Sequence, residues 1–252
     1  MIRVVIGTEP SQLLAERVLE YSIRKNTAYP IEIHCKRQVF KRVGGTQFGF
    51  VRFSVPQDFG FSGKAIYLDA DQLVFGDIGG LWKSLQEPYA IAVVQNAQGT
   101  FGGKPVGQHN QTSVMVMDCS QLTDWKVPEM FSNVVANDKE LARGQIHYRD
   151  FMMLAWMNPE KIQALDPRWN HFNFVRPDSN LVHFSYVRQQ PWKQPKHPLA
   201  KFWMSWLKSA VRDGAVDRQM IVTEVLKRHV HPWVLTALLP GTEEAMLAHE
   251  YA

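Results

Sequence analysis

Residues 64–75 read KAIYLDADQLVF, and Asp69 and Asp71 within them are the side chains best suited to chemistry. Two acids one residue apart repel each other unless something positive neutralises them. Carboxylate oxygens suit a hard divalent cation such as Mg²⁺ or Mn²⁺, which keeps open positions for substrate phosphates. The pair therefore points to a metal–diphosphate site. Taken alone, an Asp-x-Asp also fits a solvated turn that caps the next segment. Its context argues for the site: the apolar run Ala65-Ile66-Tyr67-Leu68 reads as a buried strand that ends at the first acid. The carboxyl end of a core strand is where open α/β sheets bind ligands.

The surrounding pattern supplies elements able to hold such a pair. Arg3-Val4-Val5-Ile6 reads as a first buried strand, Gly7 to Ser11 as a turn with capping chemistry, and residues 12–23 as a helix. That turn lacks a full G-x-G-x-x-G, so a dinucleotide fingerprint is not supported. Residues 31–35 alternate like a second strand, and residues 48–55 fit a short helix that carries Arg52 toward the acids. Two further apolar strands are expected at 89–95 and 112–117. Glycines 99, 102, 103 and 107 make a loop or hairpin between them. Strands alternating with helices predict a three-layer α/β/α domain with a mostly parallel central sheet. Beyond residue 140 the aromatic residues, Trp156, Trp169, Phe184 and Trp192 among them, are expected in the core. Helices are expected at about 197–212 and 217–238. The first carries Phe202, Trp203 and Trp206 beside Lys201, Lys208 and Arg212, which suits either packing on the domain or an anionic membrane surface.

At 252 residues the chain can build one large α/β domain, and 45% apolar residues suffice to fill its core. No apolar run approaches the ~18 residues of a membrane span. The opening MIRVVIGTEP reads as a strand rather than a secretory leader, and Cys35 and Cys119 as reduced thiols of a cytoplasmic protein. A net charge of +4 favours anionic partners such as nucleotide phosphates. Nucleic acid is disfavoured by the lack of a Lys/Arg block, zinc-finger spacing or aromatic RNP-like signature.

Several segments, in order, resemble glycosyltransferase family 8. YLDADQLVFGDIGGLW (67–82) is similar to its hallmark segment, and GTEPSQLLAERVLEYSIRKN (7–26) to its opening strand–helix unit. FGFVRFSVPQ (48–57) resembles the segment with a basic residue ahead of the acids. QTSVMVMDC (111–119) looks like the strand usually written N-(S/A)-G-V-(M/L)-(L/V), and VHFSYVRQQPW (182–192) like the His…Pro-Trp signature. The resemblance covers about residues 2–195. It implies a single GT-A-type domain over 1–195, with residues 196–252 as a helical extension packed on it. It also implies a metal-dependent retaining transfer of a hexose-type sugar from a UDP-sugar to an acceptor hydroxyl on a glycan, lipopolysaccharide or glycolipid.

The resemblance further implies roles residue by residue. Asp69 and Asp71 would hold Mn²⁺ or Mg²⁺ with His183 as third ligand, Asp69 also meeting the donor. Gly7 and Thr8 would border the nucleotide, and Arg52, Ser113, Gln190 and Trp192 would contact the donor. Gln111 and Asp150 would stand at the reacting sugar. Departures accompany these roles. Gln111 replaces the usual Asn and Ser113 the usual Gly. The family's H-x-x-G-x-x-K-P-W becomes His183…Gln190-Pro191-Trp192, one residue longer and without its Gly and Lys. Arg188 or Lys193 is then expected to supply the missing positive charge. Tyr148-Arg149-Asp150 takes the place of an Asp-Gln-Asp segment. The alternatives are a non-catalytic sugar-nucleotide-binding module and a nucleotidyltransferase. The latter should show a Gly-rich basic phosphate loop, which GTEPSQ matches poorly. Whether retention uses front-side attack or a covalent intermediate is left open by the residues alone.

Overall fold

The computed structural model describes residues 1–40, 43–44, 46 and 48–239. Its centre is a six-stranded sheet. In chain order its strands are β1 (Ile2–Gly7), β2 (Ile31–Lys36), β3 (Lys64–Asp69), β5 (Ile91–Val94), β8 (Gln111–Asp118) and β11 (Ile162–Leu165). In space the order is β11-β5-β8-β3-β1-β2. Five strands run one way, and β8 alone runs against its neighbours β3 and β5. The expected mostly parallel sheet is therefore present.

Near-continuous β-branched and aliphatic runs are what a sheet covered on both faces requires. Along β1 and β3, Val4, Ile6, Ile66 and Leu68 face one core, while Val5, Ala65 and Tyr67 face the other. The first core is covered by Leu19 and Ile23 of α1 (Leu13–Lys25) and by Ile78 and Leu81 of α3 (Ile78–Ser84). The second is built on aromatic rings. Phe50 and Phe53, from a 3-10 helix at Gly49–Ser54, lie 4.5 Å from Phe131 and 4.8 Å from Phe151. That six-residue 3-10 helix runs into the short α2 (Val55–Asp58). Phe151 belongs to α4 (Tyr148–Met152). The rings hold the 3-10 segment against the sheet, so Arg52 within it is fixed by packing on either side.

Smaller strands complete the frame. After Asp71 the chain leaves the main sheet as β4 (Gln72–Val74), which pairs antiparallel with β13 (Leu181–His183), and β13 pairs with β12 (His171–Phe172). A hairpin, β6 (Thr100–Phe101) and β7 (Lys104–Pro105), occupies the glycine-rich stretch. A further pair, β9 (Val134–Val135) and β10 (Ile146–His147), precedes α4.

The C-terminal helices pack on the far side of α1. Leu14, Val18 and Tyr21 meet Trp203, Met204 and Leu207 of α5 (Ala200–Arg212), together with Phe184 and Trp192. Phe202 and Trp206 pack partly buried against the same cluster. The apolar stripe of α5 thus faces the interior, the packing role expected for it. Among the described residues, no helix is long and apolar enough to cross a membrane.

Two local expectations change, and the cysteines keep the free thiols expected of them. The turn at Gly7–Ser11 offers no side-chain cap to α1; Ser11 instead donates to Glu9 at 2.6 Å. Cys35 is half-buried and Cys119 buried, both with free thiols. The expected helix at 217–238 divides into α6 (Arg218–Leu226) and α7 (Trp233–Ala237), its last residue lying one short of the expected end. Arg228 at φ 61 takes the left-handed conformation that ends a helix, and Pro232 disfavours helical backbone at His231.

Because Trp203 is 1% exposed and 5.1 Å from the Trp192 ring, it joins α5 to the body of the domain. Trp203→Ala should cost about 3–5 kcal/mol of unfolding free energy. Urea titration of the full chain measures this, and a loss under 1 kcal/mol would detach α5 from the core described here.

Candidate active site

The carboxyl end of β3 lies beside that of β1, with Gly7 and Asp69 in register. Between them stands Tyr67, fully buried, whose hydroxyl donates to Asp69 Oδ1 at 2.7 Å. Gly7 has no side chain for a steric reason: a Cβ there would come within 2.0 Å of the Tyr67 hydroxyl. Arg52 reaches Asp69 from the 3-10 helix, its Nη2 lying 2.9 and 3.0 Å from the two carboxylate oxygens. Its Nη1 donates to Thr112 Oγ1 at 2.8 Å, and that hydroxyl donates onward to the Met152 carbonyl. Both oxygens of Asp69 are therefore engaged by the protein.

Charge and burial compete here. Burial pushes the Asp69 carboxyl above its usual range; the Asp71 charge adds to this, and Arg52 opposes it. Burial alone would lower Arg52, but Asp69, with Tyr67 and Tyr148, outweighs it and holds the guanidinium firmly charged. A carboxyl with a raised folded-state pKa contributes stability below its ordinary range and loses it as pH rises through the raised value. At neutral pH the ionised Asp69 carboxylate therefore lowers stability.

Asp71 is 5% exposed and differently served. Its Oδ2 accepts from Gln190 Nε2 at 3.0 Å, whereas its Oδ1 is buried without a hydrogen-bond partner. Antiparallel pairing of β4 with β13 sets His183 opposite Gln72, and Phe184 N–H donates to the Asp71 carbonyl at 2.8 Å. His183 Nε2 thereby lies 3.2 Å from Asp71 Oδ1. One ligand atom from each of Asp69, Asp71 and His183 falls within 4.8 Å of the others. A buried carboxylate oxygen without a hydrogen-bond donor, beside an imidazole nitrogen and a second acid, fits a divalent cation by donor type and by charge.

The triad forms part of the wall of a cavity of about 740 Å³. Arg52, Lys104 and Arg149 are the lysine and arginine side chains among its described lining, and Asp69 and Asp71 its carboxylates. Phe48, Phe101, Val106, Met152 and Phe172 supply apolar wall. β8 starts at this cavity because it runs opposite to β3, and so contributes Gln111, Thr112 and Ser113 from its first turn of ladder. A register shift beside Val93 and Val94 locally separates that end of β8 from β5. An adjoining cavity of about 440 Å³ shares His109, Asn110 and Met153 with the first and adds Gln95, Asn96, Gln108 and Asp150.

Of the residues expected at a site, Arg52, Asp69, Asp71, Gln111, Ser113 and His183 line the main cavity together. The others lie elsewhere. Gly7 and Thr8 are not part of its lining, and the Thr8 N–H donates to the Lys36 carbonyl at 3.0 Å. Trp192 is 1% exposed, packed between Phe184 and Trp203, so it has no face for a donor. Gln190 is equally buried and turned toward Asp71. Asp150 is exposed and lines the adjoining cavity. Arg52 is committed to Asp69 and Thr112, leaving its Nε as a buried N–H without a partner. Lys193, which donates to the Val187 carbonyl at 3.2 Å, is half-buried, while Arg188 is exposed. Burial lowers the Lys193 ammonium, and the charges of Asp71 and Glu9 oppose this.

Tyr67, Thr112, Tyr148, His109 and Lys104 were not anticipated. Tyr67 was read only as a strand residue, and its strand neighbour Gly7 was the signal that a side chain needed room. Lys104 lies in β7 of the hairpin and His109 in the bend that follows it, a path no local pattern specifies.

The family model described as Glycosyl transferase family 8 matches residues 17–196. Protein CDI of Arabidopsis thaliana is 32% identical over 217 residues, covering 75% of this chain and 79% of that protein. Among solved structures, the glycosyltransferase GlyE of Streptococcus pneumoniae TIGR4 aligns with a TM-score of 0.61 at 16% identity, over 91% of this chain and 65% of that one. The galactosyltransferase LgtC, solved with donor and acceptor sugar analogs, aligns with a TM-score of 0.57 at 13% identity, over 82% and 96%. The chain spans about half, 49%, of the bifunctional glycosyltransferase WbbM, at a TM-score of 0.54 and 11% identity. At these identities the structural likeness is one of fold, the GT-A type.

The contact between Gly7 and Tyr67 makes a local test. Tyr67→Phe removes one hydrogen bond to a carboxylate and should cost about 1.5–3 kcal/mol. Gly7→Ala forces the phenol aside and should cost about 1–3 kcal/mol. Urea denaturation reads both, and a neutral Gly7→Ala would contradict the close approach.

Proposed function

The chain belongs to glycosyl transferase family 8, and we propose that it transfers a hexose-type sugar from a UDP-sugar to an acceptor hydroxyl, with retention at the anomeric carbon. The observation that carries this reading is the unpartnered Asp71 Oδ1, buried beside His183 and Asp69 in the wall of a cavity large enough for a nucleotide sugar. Asp71 and His183 would hold Mn²⁺ or Mg²⁺, with Asp69 as the third group. When bound, that ion supplies Lewis-acid neutralisation of the diphosphate leaving group.

The remaining steps belong to the chain's own side chains. Arg52 and Tyr67 hold Asp69 in one orientation, so the cation site is set before a donor arrives. Lys104 and Arg149 bring positive charge to the cavity. Lys193 is half-buried with its ammonium on the carbonyl of Val187, a residue of the cavity wall, which favours it over exposed Arg188 as the cation facing the diphosphate. Gln111 and Ser113 offer hydrogen bonds to sugar hydroxyls. The apolar wall limits water around the reacting bond.

Among the described residues lining this cavity, the only carboxylates are Asp69 and Asp71, both assigned to the cation. No further carboxylate stands there to form a covalent glycosyl intermediate, which supports front-side attack with a diphosphate oxygen taking the acceptor's proton. The adjoining cavity, with its amides and Asp150, suits the acceptor: it has hydrogen-bonding groups for a polyhydroxyl molecule and a negative charge against an anionic one. In this reading residues 1–195 carry both substrate sites, and the segment from 196 supports them from behind α1.

Purified protein with Mn²⁺ should release UDP from at least one UDP-sugar, and a chelator should stop it. Asp71→Ala and His183→Ala should each lower kcat/KM by about 100-fold or more, roughly 2.7 kcal/mol of transition-state stabilisation. Asp150→Asn should raise KM for the acceptor while leaving acceptor-free donor hydrolysis unchanged. Donor binding with no turnover across a panel of sugars and acceptors would replace this reading with a binding module.

A further inference from the structure

We propose that Gln190 and Gln12 form a buried amide relay that positions Asp71 as a one-oxygen ligand for the cation, an inference that rests on the metal reading above. Each of the two residues is 1% exposed, and neither lines the cavity. Gln190 Nε2 donates to Asp71 Oδ2 at 3.0 Å and to the Phe184 carbonyl at 3.3 Å. Both partners are acceptors without a proton to give, so the carboxamide has only one satisfactory orientation. Its Oε1 must then face away from Asp71, where it accepts from Gln12 Nε2 at 3.2 Å. This fixes Gln12 in turn, whose own Oε1 ends the relay buried and without a partner.

The consequence falls on Asp71. A carboxylate can chelate through both oxygens, but here Oδ2 is held by an amide while Oδ1 stays open toward His183. The partner's chemistry matters as much as its place. A lysine or arginine on Oδ2 would orient the carboxylate but also neutralise it, opposing a bound cation. A neutral amide orients it and leaves the full negative charge for the metal. The relay is anchored at both ends. Gln190 holds the extended conformation (φ −61, ψ 146) favoured before proline, and Trp192 beyond Pro191 is locked against Phe184 and Trp203. Gln12 immediately precedes α1, the helix whose outer face packs on the same core. Gln190 is therefore a positioning residue, with Gln12 behind it, and not the donor contact expected from its place in the chain.

Isothermal titration calorimetry of Mn²⁺ and Mg²⁺ on the full chain tests this without reference to turnover. Gln190→Leu should weaken metal binding by about 10–100-fold, the range for loss of a group that orients a ligand. Gln12→Leu should weaken it by a smaller factor, and the double variant should match Gln190→Leu alone, since the two act in series. The manganese electron paramagnetic resonance spectrum should change with Gln190→Leu, which a purely structural role would leave unaltered. If Gln190→Leu fails to fold, Gln190→Asn keeps the amide one methylene short of Asp71, and the same weakening is expected. Unchanged affinity in whichever folded Gln190 variant is measured overturns the relay while leaving the metal site intact. A parent protein that binds neither ion overturns the metal reading and the relay with it.

Discussion

Two carboxylates buried one residue apart are the constraint around which this molecule is arranged. Removing each from water costs several kcal/mol in a protein interior, roughly, and the two charges repel across a short distance. The fold meets this at Asp69 by surrounding it with donors: Arg52 on both oxygens and Tyr67 on one. It does not do so at Asp71, where one oxygen is left open beside His183. Two acids of the same type thus have different chemistry. Asp69 is a fixed charge balanced by the protein, and Asp71 is a charge held for something else.

The rest of the architecture follows from delivering five segments to one point. Parallel β1 and β3 end together, which aligns Gly7 with Asp69. Reversal of β8 is what allows its first residues, rather than its last, to reach the same end of the sheet. Departure of β4 from the main sheet immediately after Asp71 lets it pair with β13, which returns His183 from more than a hundred residues away. The aromatic cluster of Phe50, Phe53, Phe131 and Phe151 supplies rigidity of another kind, because a 3-10 helix of six residues has little stability of its own. Arg52 is held toward Asp69 by the packed rings of the same helix, Phe50 and Phe53, both buried.

The legible part of this molecule in its sequence was the part written locally. Apolar runs located β1, β3 and β8, and the acids at the end of β3 stood out because they interrupted such a run. His183 became visible through its resemblance to the family's His…Pro-Trp signature, and the structure places it beside Asp71. What stayed hidden depends on long-range packing. Trp192 and Gln190 occupy a recognisable stretch, yet nothing local says that one is enclosed by Phe184 and Trp203 while the other turns inward. Thr8 looked available until the sheet claimed its N–H through Lys36. The division of the last helix followed from Arg228 adopting a left-handed conformation, a choice that a non-glycine side chain does not announce.

The substitutions that distinguish this chain from the usual pattern are better understood together than singly. Gln190 stands where the resemblance expects a lysine, and its buried amide holds Asp71 rather than facing the cavity. That change leaves no positive charge just ahead of Pro191, while the Lys193 ammonium donates to the carbonyl of Val187, which lines the cavity. Lys104 and Arg149 approach the same cavity from two other segments. Positive charge is therefore spread around the cavity instead of concentrated at one position, and the acid–imidazole triad is kept intact beneath it. A cation and a diphosphate need opposite charge in total but not from one particular side chain, since the field in a cavity sums over all of them. Orientation of a buried carboxylate has no such freedom. It requires a donor at a defined distance from a defined oxygen, and for Asp71 that donor is Gln190.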